Sequence, residues 1–140
     1  MNETSRRDYN MWVVVRPAED VQGQWVAHCL EFDVVSQGNS LEHALEMVCE
    51  AVAMVVVDDR IAGRDPLERR APEEFYDGLY ALLEHGEKVP TDDLGKLDHE
   101  CRIVAFATQL SLRIEERKRE VTPRLRRVPV AIAQQELACG

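Results

Sequence analysis

The side chains able to do chemistry are few and scattered. Four histidines and four cysteines stand in 140 residues. His28 and Cys29 are adjacent, so on a strand they point to opposite faces and cannot hold one metal together. His99 and Cys101 would share a face of an extended segment, but two ligands without a second pair make a poor metal site. Cys29, Cys49, Cys101 and Cys139 form no C-x-x-C pair and read as reduced thiols. Cys29 and Cys49 fall in apolar-patterned segments, where a thiol serves as a small core side chain. A Cys29–His43 nucleophile–base pair would require the fold to bring the two together. Among carboxylates, Asp33 lies beside a strand and Glu42, Glu46 and Glu50 follow at four-residue steps. Two-metal hydrolysis needs carboxylates converging at a strand end. These three glutamates line one hydrophilic helix face instead. The expectation is a chain without catalytic residues, metal or cofactor.

Charge gives a second kind of site. Formal net charge is −9, a sign that repels phosphate backbones from most of the surface. The distribution is uneven. Residues 1–112 carry ten basic and twenty-two acidic side chains, whereas residues 113–127 carry seven basic and three acidic. Arg117, Lys118, Arg119, Arg124, Arg126 and Arg127 make that segment a candidate nucleic-acid contact. The other reading is a solvated strand end and loop balancing the acidic body, and no aromatic residue is interleaved for base stacking.

The elements that would position these groups can be read from periodicity. Residues 1–9 are polar and expected to fray. Met11–Arg16 is β-branched and aromatic, and Pro17 closes it as a strand. Gln24–Cys29 is a second strand, completing an antiparallel hairpin, and Val34–Ser36 a short third. Gly38 is read as a corner glycine with positive φ. Asn39 or Ser40 caps the helix that follows. With Asn39 as cap, Glu42 completes a box-like spacing; with Ser40, His43 stands where the box has glutamate. Leu41, Ala44, Leu45, Val48, Cys49 and Val52 then mark one apolar face of about five turns ending near Ala62. Pro72 opens a second helix with an apolar stripe of Phe75, Leu79, Leu82 and Leu83. Residues 101–118 alternate as a long strand, with Val104, Phe106, Leu110, Leu112 and Ile114 on one face. Residues 115–127 read as a charged segment broken by Pro123, and Val128–Ala133 as a short edge strand. The long strand outreaches its neighbours, and its overhang suggests self-pairing into a homodimer.

The predicted class is α+β: a small antiparallel sheet, in β-β-β-α-β order, packed on one long helix. The chain reads as a single domain with a core over 11–62, a helical insertion over 63–100, and a long strand with basic tail over 101–140. No apolar run approaches the ~20 residues that span a bilayer, and the first residues lack the apolar core of a secretion signal. A cytoplasmic location is expected.

One stretch carries a resemblance. Trp25, Val26-Ala27, Cys29-Leu30, Val35-Ser36-Gln37-Gly38, the cap at Asn39 or Ser40, Leu41-Glu42-His43-Ala44-Leu45 and Glu50-Ala51 resemble the HicB-type antitoxin family. Trp25, Gly38, Ser40, Leu41, Ala44 and Leu45 would be its scaffold. The likeness spans Trp12 to about Val57. It implies a partial ribonuclease-H-like fold and a small basic toxin as partner, a ribonuclease-like protein whose RNA-facing surface and catalytic histidine the antitoxin covers. Many members also end in a ribbon-helix-helix or helix-turn-helix module. This chain shows no such pair, and residues 58–100 read as an insertion. The resemblance thus implies a non-enzymatic partner-binding protein, with a stand-alone nucleic-acid regulator using residues 113–127 as the alternative.

Overall fold

A computed structural model describes residues 4–89, 103–117 and 120–135. The fold is α+β with an antiparallel sheet. Among the described residues its strands are β1 (Thr4–Pro17), β2 (Trp25–Cys29), β3 (Val34–Gly38), β4 (Glu87–Lys88), β5 (Ile103–Arg117) and β6 (Glu120–Gln135). Among the described residues they lie side by side in the order β3-β2-β1-β5-β6-β4. Two α-helices, α1 (Leu41–Ile61) and α2 (Tyr76–His85), cover opposite sides of this sheet. No helix among the described residues is long and apolar enough to cross a membrane.

Alternation along β1 explains the two layers. Tyr9, Met11, Val13 and Val15 face α1, where they meet Leu41, Ala44, Leu45, Val48, Val52 and Val56. Val14 faces the other way, into a smaller core with Leu30, Tyr76, Leu79, Leu82, Ala105 and Ala107. β5 follows the same rule, but its register shifts between Ile103 and Ala105 and again between Thr108 and Leu110. The first shift puts Ile103, rather than Val104, into the α1-side core with Phe106, Leu110, Leu112 and Ile114.

Several expectations are corrected. Residues 4–10 do not fray: they continue β1 and pair with β5 from Thr4↔Arg117 to Val15↔Phe106. Residues 120–127 are strand rather than loop, since β6 runs through Pro123 opposite Ile114. Between Phe106 and Arg117 the long strand is therefore flanked within the chain by β1 on one side and β6 on the other, and this stretch is not the overhang expected. Beyond Trp12, β1 has left β2 behind. Leu30 N–H donates to Trp12 O at 3.2 Å, and Trp12 N–H donates to Glu31 Oε2 at 2.9 Å, ending that pairing. The distal parts of β1, β5 and β6 thus run on beyond β2 as a three-stranded arm of the sheet, its inner face packed on the C-terminal half of α1.

Gly38 is a further correction. Positive φ occurs at Gly23, Gly63 and Asp33, not at Gly38. A Cβ at position 38 would instead lie 2.3 Å from Ala44 N and 2.7 Å from Ala44 Cα. The glycine lets β3 pass against the first turn of α1. Ser40 is the cap, its Oγ accepting from His43 N–H at 3.0 Å. His43 Nδ1 in turn accepts from Asn39 N–H at 3.1 Å, so an imidazole makes a box-like return bond to the residue before the cap rather than to the cap itself. In the second helical segment a 3-10 turn (Glu73–Phe75) precedes α2. The buried stripe is Tyr76, Leu79 and Leu82, while Phe75 and Leu83 are exposed.

Candidate partner-docking groove

The side of the sheet opposite α1 is only partly covered by α2. There, β1, β2, the β1–β2 turn and the 73–78 segment enclose an open groove of about 600 Å³. Its apolar floor is Val14, Val26, Pro17 and Phe75, and its rim carries Glu19, Asp20 and Glu74. Arg16 is the one arginine of the lining. Its guanidinium lies where a Cβ on residue 78 would be, 2.2 Å from Nη2, so Gly78 leaves it room against α2.

His28 enters this groove from β2. Its Nε2 is 2.7 Å from Asp33 Oδ1, and its ring meets Phe75 edge-on at 5.2 Å. Asp33 reaches it from a left-handed conformation, φ 51°, a geometry an aspartate tolerates better than most residues. None of the lining residues is serine, threonine, cysteine or lysine, so the dyad fixes an imidazole with no nucleophile beside it. Val35, opposite His28 in the β2–β3 pairing, is 55% exposed. Phe75 is 47% exposed. An apolar patch thus continues from the groove to β3, the outer strand of the sheet at that side.

The two sheet margins differ in kind. At one, β4 covers β6 at Ile132 and Ala133, and the stretch of β6 before it carries Pro123 and a row of arginines, devices that discourage strand addition. β3 reads Val-Val-Ser-Gln-Gly, with no proline and no charge. It is the open margin of the pair, and the acid-rimmed groove lies beside it.

The other sequence-predicted residues are dispersed. Leu41, Ala44 and Leu45 are core, with Trp25 half-buried against them. Glu42, Glu46 and Glu50 are exposed on α1, on the far side of the sheet from the groove. Cys29 faces the α1-side core, and burial pushes its thiol up to about 12. Burial likewise raises the half-buried Cys49 to about 11. The Cys29–His43 pair does not form, because Cys29 is sealed in the core and His43 is engaged at the helix cap. Iodoacetamide at pH 8 should leave Cys29 unmodified in the native protein and label it after unfolding, as peptide mapping by mass spectrometry would read. Native labelling of Cys29 at the rate of an open thiol would contradict this burial. His99, Cys101, Cys139, Lys118 and Arg119 lie outside the described residues. Arg117, Arg124 and Arg126 share the outer face of the arm, whereas Arg127, opposite Leu110, is on the α1 side.

Neither the His28–Asp33 contact nor the groove is visible in sequence. Phe75 is there as a candidate core residue, and only its exposure reveals it as surface. No protein-family model matches the chain, nor does any curated protein or solved structure.

Proposed function

We propose that this chain is a non-enzymatic, HicB-like protein that binds a small basic partner, a HicA-like RNA-cleaving toxin, and masks it. One observation carries the reading: an acid-rimmed groove with exposed Phe75 and Val35 runs onto an uncharged sheet edge. A partner strand can add to β3 through backbone hydrogen bonds while a side chain of that strand enters the groove. Glu19, Asp20, Glu74 and Asp33 steer a basic protein to this place and set its orientation. The resemblance over Trp12–Val57 supports the same partner class, and Ser40 and Gly38 hold the β3–α1 corner that presents the edge. Location in the cytoplasm follows from such a partner.

The test is titration of the chain against the small basic protein encoded beside it, together with inhibition of that protein's RNA cleavage. Phe75→Ala and Val35→Lys should each weaken binding about tenfold or more, as loss of an aromatic anchor and a charge placed on an edge strand do. A chain that neither binds nor protects sinks the proposal. A second copy is the competing occupant of β3, and light scattering of the chain alone separates self-association from partner capture.

A further inference from the structure

The outer face of the three-stranded arm is charged in a way that the body of the protein is not. Register fixes which side chains share it. Asp8, Arg113 and Arg124 stand in one cross-strand row, Asn10, Ser111 and Arg126 in the next, and Arg6, Glu115 and Thr122 on the other flank. Arg117 opposes Glu120 at the tip. Five arginines thus share the face with three acids. Asp8 engages Arg113 at 2.9 Å, and Glu115 lies 3.9 Å from Arg124. Arg126 is exposed and makes no ion pair among the described residues.

Two features mark this face as more than a solvated surface. Arg113 and Arg124 are directly opposite each other, a like-charge pairing, and with Arg126 they outnumber the two acids, Asp8 and Glu115, that lie against them. Their guanidiniums, with Ser111 and Arg126, also border a cleft of about 160 Å³, room for a phosphate-sized group beside a hydroxyl donor. The arginines extend along β6 and β5 for about 20 Å at the strand repeat. That span suits a linear polyanion better than a single phosphoryl group.

We infer that the outer face of this arm, centred on Arg113, Arg124, Arg126 and Ser111, binds the phosphodiester backbone of a nucleic acid. Backbone phosphates take charge-assisted hydrogen bonds from the guanidiniums, and among the described residues the four rows that carry these arginines hold no aromatic ring to stack a base, Trp12 one row further along being packed against the α2-side core. Binding is therefore sequence-tolerant. The surrounding acidic body confines it to the arm and makes it sharply salt-dependent. Arg113, Arg124 and Arg126 lie on β5 and β6, three and four strands away from β3 in the sheet order, so the face stands independently of the partner proposal.

The experiment measures binding of the full chain to a 20-nucleotide single-stranded RNA, the matching DNA strand and duplex DNA, from 50 to 200 mM salt. With three phosphates neutralised, affinity should fall about 20-fold for single strands and about 40-fold for duplex over that range. The three probes tell which nucleic acid is preferred. Arg124→Gln with Arg126→Gln should reduce the salt slope by about two charges and weaken binding at 50 mM at least tenfold. Arg127→Gln, which removes a charge from the opposite face of β6, should leave binding unchanged. The inference is overturned by no binding at 50 mM salt, by equal loss in the Arg127→Gln protein, or by polyglutamate competing as well as RNA at matched charge. The wild-type salt slope decides the matter even if the double variant folds poorly.

Discussion

Gly38→Ala should be the most damaging single-methyl change in the described chain. The added Cβ would meet backbone, 2.3 Å from Ala44 N and 2.7 Å from His43 C, and no rotamer change can relieve it. β3 or the first turn of α1 must move. Both are pinned: β3 by its pairing of Gly38 with Trp25, α1 by the Ser40 cap and by Leu41, Ala44 and Leu45 in the core. Overpacking ordinarily costs about 1–3 kcal/mol, and a backbone clash at a pinned junction belongs at or beyond its upper end. Thermal unfolding should shift down by about 10 °C or more. Gly23→Ala is the informative control. Its Cβ would meet nothing within 4 Å, and strain arises only from its φ of +82°, so it should cost about 1 kcal/mol. Equal stability of the Gly38→Ala and wild-type proteins would mean that β3 and α1 are not in the contact described.

The second large effect is expected at Asp59, in the last turn of α1. Its side chain is 1% exposed, yet it is charged and held. Arg69 donates to it through Nε and, at 2.9 Å, through Nη2, and Arg64 Nε donates at 3.1 Å. Arg64 N–H also donates to Asp59 O at 2.8 Å. This clasp ties the turn after α1, with its buried Pro66, back onto the helix end. The Arg69 hydrogen bonds hold the Asp59 carboxyl below the usual carboxylate range, burial opposes them, and Arg64 adds to the lowering. Asp59→Ala should cost about 2 kcal/mol, the range of charged hydrogen bonds reduced because both guanidiniums are half in water. The pH dependence has a definite sign. A depressed folded-state pKa gives stability that is complete above the ordinary value of about 3.8 and is lost as pH falls through the lower folded value. Urea unfolding between pH 7 and pH 3 should therefore show a steeper acid loss in wild type than in Asp59→Asn. Parallel curves would remove the clasp from the account.

How far the sequence carries the fold depends on which partner each residue answers to. α1 is legible because Leu41, Ala44, Leu45, Val48 and Val52 face one core at helical spacing, a local pattern. β5 is legible in its alternation, but not in its two register shifts, which arise from pairing with β6. β6 is illegible for a physical reason. An outer strand needs little apolar content on its solvent side, and a proline is tolerated where a neighbour is lacking, so Glu120–Arg127 looks like loop. The start of β1 is hidden likewise, since Ser5-Arg6-Arg7-Asp8 becomes strand only because β5 lies alongside. Phe75 illustrates the site. Its spacing with Leu79 and Leu82 mimics a buried stripe, but the 3-10 turn at Glu73–Phe75 rotates it off that stripe and out toward His28. The contact of His28 with Asp33 depends on one left-handed residue, and no spacing rule announces it.

The pairing of β1 with β5 also has a consequence for how the protein is made. Thr4 must find Arg117, and Val15 must find Phe106. β1 can close with β2 as soon as that short hairpin leaves the ribosome, but its other margin waits for about 90 further residues. At ordinary translation speeds that wait is roughly 5–20 s. During it, the nascent chain carries Met11, Val13 and Val15 on a strand whose second neighbour does not yet exist. The sheet is thus completed late and from the C-terminal side, and a slowed ribosome would lengthen the period in which this protein is most prone to pair with the wrong strand.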